Sequence, residues 1–406
     1  MYLETTITLA AMVATFALSS WLLKSAEISM VITAIVGALV GGMGFPVRVL
    51  VEGMFNYLDL AFIFLTATIF INVYSETGAM NAIVRMLVDK FHGKKWVLFF
   101  FLAILMLIPG ALTGAGSVSI LVVGGLVAAV LSFMGLSKRR TAAFIFMMAI
   151  LSAAAPPINL WAMLMAAQAN MPYVGFNVVL LVPVLVIMTF SVFFLCRGGE
   201  PRPKEEILAS LPETSPKLSW WRIILPPATM IALFLLSQYA AFAIPVLGLP
   251  LIFVICTVVS ILVNPNKTAL KRWGELLTTT IEQVFPLVAT MVSVGILTNV
   301  MAGNGVRGLI AITFVTLPVI FIYITALFFA PMTQGSLSYG SAVILGTPLI
   351  FLFNSVGANV TVVTAALSLM FPLGDCLPPS RIVGRLSIEA VGYEGSYMSF
   401  LRELVV

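Results

Sequence analysis

Two short stretches place hydroxyls, an amide and glycines inside otherwise apolar sequence. They are Pro109-Gly-Ala-Leu-Thr-Gly-Ala-Gly-Ser-Val-Ser119 and Pro331-Met-Thr-Gln-Gly-Ser-Leu-Ser338. The chemistry open to such residues is ligation. A backbone bend frees carbonyl oxygens, which together with hydroxyls suit a hard cation, and it exposes helix N-terminal N–H groups that hold an anion. Two double prolines make matching breaks, in Ser152-Ala-Ala-Ala-Pro-Pro-Ile-Asn159 and Gly374-Asp-Cys-Leu-Pro-Pro-Ser-Arg381. Each pair removes two N–H donors and leaves carbonyls of the preceding turn open. Asn159 and Ser380 add side-chain oxygens at nearly matched positions, and Asp375 is the one carboxylate beside a break. An ionisable group at membrane depth is a functional candidate by default. The structural alternatives are small residues packed at helix contacts, a simple kink, and an Asp375–Arg381 ion pair.

Other chemistries find no residues to carry them. A lone histidine, His92, and three cysteines at unrelated spacings, Cys196, Cys256 and Cys376, fit neither a disulfide framework nor a transition-metal site. There is no GxxxxGK[ST] loop for ATP and no Ser/His/Asp constellation. Neither hairpin stretch contains a titratable base for an intramembrane hydrolase, so the chain reads as a non-enzyme.

The elements that must position these stretches follow from composition. Of 406 residues, 61% are apolar and 9% charged, with a mean hydropathy of +1.12. A soluble domain is about 45–50% apolar and about 25% charged, which excludes a soluble enzyme, a disordered chain and a nucleic-acid binder. A helix needs about 20 apolar residues to cross a bilayer. Spans are expected near 4–23, 28–46, 58–76, 141–156, 174–196, 223–240, 243–263, 282–302 and 359–375. The start lacks a basic n-region and a cleavage site, so it reads as a retained span. Suppose the N-terminus is outside, and 97–134 and 319–353 each enter and leave on one side. All but Arg48 and Arg307 of the 21 Lys and Arg then fall inside, as the positive-inside rule requires. The fold class expected is an all-α polytopic membrane protein, N-out and C-in, with two re-entrant hairpins and two broken helices. Residues 78–95 and 264–281 read as short amphipathic stretches along the membrane surface.

An internal repeat organises the chain. An offset of 222 residues carries Pro109 onto Pro331, Gly135 onto Gly357, Pro156-Pro157 onto Pro378-Pro379, and Phe99 onto Phe321. The charge-derived topology gives the two copies opposite orientation, the mark of inverted-repeat transporters with a midplane site on discontinuous helices. The first copy takes 1–196: scaffold spans 1–77, surface arm 78–95, hairpin and broken helix 96–172, span 173–196. A charged, Pro-rich cytoplasmic linker fills 197–222. The second copy takes 223–406: scaffold spans 223–306, hairpin and broken helix 307–392, tail 393–406.

The ordered set of motifs resembles the large permease subunit of tripartite ATP-independent periplasmic (TRAP) transporters, within the ion-transporter superfamily. The set comprises Gly116-Ser117-Val-Ser119, Met134-Gly-Leu-Ser-Lys138 leading into a helix that ends at Pro156-Pro157-Ile158, and the break at Pro378-Pro379. The resemblance covers most of the chain. It implies an elevator transporter in a bacterial inner membrane, with sodium as coupling ion and no other cofactor. It also implies import of small carboxylates, of C4-dicarboxylate or sialic-acid type, handed over by a periplasmic substrate-binding protein, and a small four-span membrane subunit as partner. Two motifs depart from the family pattern. Thr113-Gly-Ala-Gly stands where a Gly-Ser-Ser-like run is usual, and Leu377-Pro-Pro-Ser-Arg381 where Thr-Pro-Pro-x-Gly is common.

On this reading one sodium site takes Thr113, Gly114, Gly116, Ser117, Pro156 and Asn159. The other takes Thr333, Gly335, Ser336, Asp375 and Pro378. Substrate contacts fall to Ser117, Ser119, Asn159, Gln334, Ser336, Ser338 and Ser380, with the carboxylate between the tips. Few fixed positive charges lie there, so anion binding is expected to require sodium. The alternatives are a stand-alone sodium/dicarboxylate symporter of the divalent-anion family, although neither hairpin has a Ser-Asn-Thr tip, and an uncoupled channel or facilitator.

Overall fold

The computed structural model describes residues 2–215, 218–239, 247–264, 270–316, 318–378 and 381–404; the regular elements among these are helices, with no strand. Among the described residues seven helices are long and apolar enough to cross a membrane, including Tyr2–Leu23, Phe176–Leu195 and Trp220–Ser237. Expected spans and observed helices agree closely at Leu58–Glu76 for 58–76 and Lys138–Ala154 for 141–156. Residues 243–246 of one expected span lie outside the described residues. The amphipathic stretch at 78–95 is a helix, Ala79–Phe91. The stretch at 264–281 is different: from Leu270 it belongs to one 34-residue helix, Leu270–Gly303, which runs on through Pro286. Thr280 and Val284 on its inner face are buried, and Asn72 donates to Thr280 Oγ1 (3.0 Å) and Gln283 Oε1 (3.2 Å). Those contacts hold the polar stretch in line with the span rather than apart from it.

Each hairpin is helix, break, helix. The first runs through Lys95–Thr113, turns at Gly114 (φ 71°), and returns through Gly116–Ser119, a π-helical turn Ile120–Gly124, and Gly125–Phe133. The second runs through Val319–Ile324, a π-helical turn Thr325–Phe329 and Ala330–Leu337, then returns through Ala342–Gly346 and Thr347–Ser355. The return arms correspond position by position at the 222-residue offset. The π-helical turns Ile120–Gly124 and Ala342–Gly346 match, as do the terminating glycines Gly135 (φ 84°) and Gly357 (φ 85°). Only glycine takes that backbone region freely. The next helix is capped at matched positions too. Ser137 accepts from Arg140 N, and Asn359 from Val362 N, each satisfying a donor that the helix itself leaves open.

The chain folds as two compact units, one of 1–61, 159–181 and 285–381 and one of 62–158, 182–284 and 382–406. We call them the tip-2 and tip-1 units after the hairpin each holds. These units are not the two sequence copies. In the tip-1 unit the first hairpin packs on Lys138–Ala154, the front half of the first broken helix, and on Ile382–Val391, which follows the second break. In the tip-2 unit the second hairpin packs on Val360–Met370 and on Leu160–Gln168, the back half of the first broken helix. Each break is thus a crossing point of the chain from one unit to the other. The crossings follow residues 158 and 381.

The tip-1 core is closed around Lys138–Ala154, which is buried on every side from Thr141 onward except at Met147. A helix apolar all round must be enclosed, and Phe99, Phe144 and Phe146 supply the volume. The C-terminal helix Tyr397–Leu404 closes this core. Phe400 is fully buried edge-on to Phe146 (5.9 Å), and Glu403 pairs with Arg139 (2.8 Å) and Arg140 (3.1 Å).

Candidate functional site

The tip-2 cluster is assembled from Ala330–Leu337, the 3-10 turn Phe371–Cys376 and Leu160–Gln168. Glycines let the first two close on each other. A Cβ on Gly374 would overlap Pro331 O, and one on Gly335 would lie 2.9 Å from Pro378 O and 3.3 Å from Leu377 O. The carbonyls of the second break therefore face Gly335. Pro372 and Pro378 bracket this turn, and a proline cannot donate to the preceding turn, which is why the regular helix Val360–Met370 gives way here to a 3-10 turn and then to extended chain at Leu377.

Gln334 organises the cluster. It is buried, and its Oε1 accepts from Trp161 Nε1 (2.9 Å) and from Ser341 Oγ (2.7 Å). Its Nε2 donates to Asp375 Oδ1 (3.0 Å). Trp161 in turn stacks on Tyr339 with ring centroids 4.6 Å apart. Asn159 lies in the same unit, buried. Its Oδ1 caps Leu160–Gln168 by accepting from Ala162 N (3.0 Å), and its Nδ2 donates to Ser368 Oγ (2.8 Å). The Asp375 carboxylate, oriented by the amide of Gln334, and the carbonyls of Leu377 and Pro378, which face the adjacent Gly335, are oxygens of the kind a hard cation takes.

In the tip-1 unit the hydroxyls tie the hairpin to its broken helix. Ser119 Oγ accepts from Gly110 N (2.8 Å) and donates to Ser152 Oγ (2.9 Å), and Ser152 donates to Ala149 O (2.6 Å). Both serines are fully buried. A Cβ on Gly116 would sit 2.6 Å from Ala149 O, so glycine is what allows this approach. Thr113 Oγ1 donates to Pro109 O (2.8 Å), and Ile158 N donates to Ala111 O (3.1 Å), which anchors the chain just after the cis Pro156-Pro157 peptide. Ser117 remains partly exposed at the tip.

The structure thus brings Gln334, Gly335, Asp375 and Pro378 together, and Thr113, Gly114, Gly116 and Ser119 together. Thr333 donates to Ala330 O (3.0 Å) within its helix, Ser336 is exposed, and Ser338 turns the chain at φ 49°. Pro156 lies in the tip-1 unit and Asn159 in the tip-2 unit. Ser380 lies outside the described residues. Sequence reasoning missed Trp161, Ser152, Ser341 and Ser368. Ser341 had a signal, since it stands 222 positions after Ser119.

With this geometry in hand, the chain can be compared with known proteins. Residues 6–198 match the family model described as DcuC, C4-dicarboxylate anaerobic carrier. The structure is similar to that of the YdaH transporter of Alcanivorax borkumensis, described as having an unusual topology. The TM-score is 0.58 at 14% identity, over 86% of this chain and 82% of that one. The chain therefore shares the fold of that structure. No curated protein matches it by sequence.

Proposed function

We propose that the chain is a sodium-coupled secondary carrier for small dicarboxylates of the C4 class, in a bacterial inner membrane. The observation that carries this reading is the carrier-family match over 6–198, which contains the whole first hairpin and first double proline. Two further features support it: each unit presents a hairpin tip packed on a half-helix, and the tip-2 unit holds an oriented carboxylate among backbone oxygens. Sodium is proposed to bind the tip-2 cluster through Asp375 and the carbonyls of Leu377 and Pro378, and a second sodium the tip-1 residues Thr113, Gly114, Gly116 and Ser117. Ser117, Ser336 and Ser338 are the hydroxyls proposed to meet the substrate. The hairpins are proposed to be re-entrant and oppositely oriented, with N-out and C-in, and the motion to be an elevator.

The match to a carrier family supports a reading in which the chain is itself the carrier. The motif set around Gly116-Ser117-Val-Ser119 favours a second reading, the large subunit of a tripartite system with a small four-span subunit and a periplasmic binding protein. Reconstitution separates them. Purified chain in proteoliposomes under an inward sodium gradient is expected to concentrate radiolabelled succinate. Accumulation only after a small subunit and a binding protein are added would move the assignment to the tripartite reading. Equilibration without accumulation would sink the coupled-carrier proposal in favour of a facilitator.

A further inference from the structure

The offset that relates the hairpins also relates two cavities, one inside each unit. In the tip-2 unit a cavity of about 10 Å³ is lined by Val343 and Ile344 of the π-helical turn, with Thr298, Gln168 and Arg307. That is room for about one water, because the protein fills the rest itself. Arg307 Nη2 donates to Gln168 O (2.7 Å) and Tyr57 Oη to Gln168 Oε1 (2.9 Å). In the tip-1 unit a cavity of about 420 Å³ is lined by Leu121 and Val122 of the other π-helical turn, with Glu76, Asn72, Thr279 and Gln283. Leu121, Val122 and Glu76 stand 222 positions before Val343, Ile344 and Thr298.

The position matched to Arg307 is Arg85, and its guanidinium is engaged elsewhere. Arg85 Nη1 donates to Leu208 O (2.9 Å) and Leu211 O (3.0 Å), at the C-terminal end of the linker helix Lys204–Ser210. One unit therefore closes its cavity with its own guanidinium. The other leaves the matched cavity open and places a carboxylate where its counterpart has a hydroxyl.

From this difference we infer that the open cavity is a binding site for a small organic cation bearing a guanidinium or primary ammonium group. Glu76 supplies the countercharge, Asn72, Thr279 and Gln283 supply oxygens, and Leu121 and Val122 form a wall for a short aliphatic body. Asn72 is held in place by its bonds to Thr280 and Gln283. Glu76 pairs with Arg272, whose side chain is 69% exposed. An ion pair so open to water is weak, and a cation entering the cavity replaces it. The inference is independent of the carrier reading, because none of these residues belongs to either proposed sodium site.

The test uses the purified full chain in detergent, with methylguanidinium chloride as probe and N-methylurea and potassium chloride at equal concentration as controls. Methylguanidinium is expected to raise the unfolding midpoint by about 1–3 °C and the controls are not. Glu76→Gln should abolish the shift. Arg272→Ala, which removes the resident competitor, should lower the methylguanidinium concentration giving half the effect several-fold. An equal shift with N-methylurea, or a shift that survives in Glu76→Gln, overturns the inference. An Arg272→Ala protein with an unchanged half-effect concentration does the same, and that arm decides alone if Glu76→Gln does not fold.

Discussion

Gln334 orders its surroundings through the two ends of one amide. Its oxygen already accepts from Trp161 and Ser341, so rotating the amide would set N–H groups against those donors and turn an oxygen toward Asp375. Trp161→Phe keeps most of the ring stacking on Tyr339 but removes one donor, a loss of about 1 kcal/mol. The amide then loses part of its bias, and the sodium concentration for half-maximal uptake should rise several-fold. A folded Trp161→Phe protein with unchanged sodium dependence would reduce Trp161 to packing. Gly335→Ala is predicted to be harsher, because its methyl would press on Pro378 O and push apart the carbonyls proposed as ligands. Sodium-dependent uptake should be lost while the helical circular dichroism is kept; normal uptake would remove those carbonyls from the site. Gln334, Gly335 and Asp375 were legible in the sequence because polar residues and glycine stand out in apolar surroundings. Trp161 was not, since within Leu-Trp-Ala-Met-Leu-Met-Ala it is indistinguishable from packing filler, and its partner lies 173 residues away.

At the scale of elements, the linker is held as well as connected. Arg85 caps the end of Lys204–Ser210 with hydrogen bonds to carbonyls that its helix leaves open, and Lys204 pairs with Asp89 (2.7 Å). Lys204 holds the Asp89 carboxyl below the usual carboxylate range. A group depressed in this way contributes its part above its unfolded pKa and loses it as pH falls through the lower folded value. The Asp89–Lys204 contribution should therefore be constant from neutral pH down to about 4 and fade below that. Arg85→Ala should speed tryptic cleavage after Lys204 at neutral pH, and Asp89→Asn should do so to a smaller extent. Equal cleavage rates in all three proteins would show that neither contact holds the linker. The linker's boundaries were plain from its Pro and charge content. The continuity of Leu270–Gly303 was not, because Lys271, Arg272 and Glu275 read as a surface stretch when their apolar neighbours and the Asn72 contacts across the unit cannot be seen.

At the scale of the molecule, the 222-residue offset was legible from prolines and glycines alone, and the π-helical turns, the terminating glycines and the N-caps fall on it. What the sequence did not reveal is the exchange between copies. The double prolines read as breaks within a site, yet each is also where the chain leaves one compact unit for the other, a consequence of tertiary contacts among residues far apart in sequence. The carbonyls freed by the breaks are the proposed ligands, so the proposed coupling depends on the same prolines that route the chain. The most direct test is succinate accumulation in proteoliposomes under sodium or potassium gradients of equal size. The proposed carrier concentrates succinate only with sodium, and Asp375→Asn lowers that accumulation while Glu403→Gln, whose side chain pairs with Arg139 and Arg140 in the tip-1 unit, leaves it near the parent level. Equal accumulation under potassium, or an Asp375→Asn protein that matches the parent in sodium dependence, would contradict it.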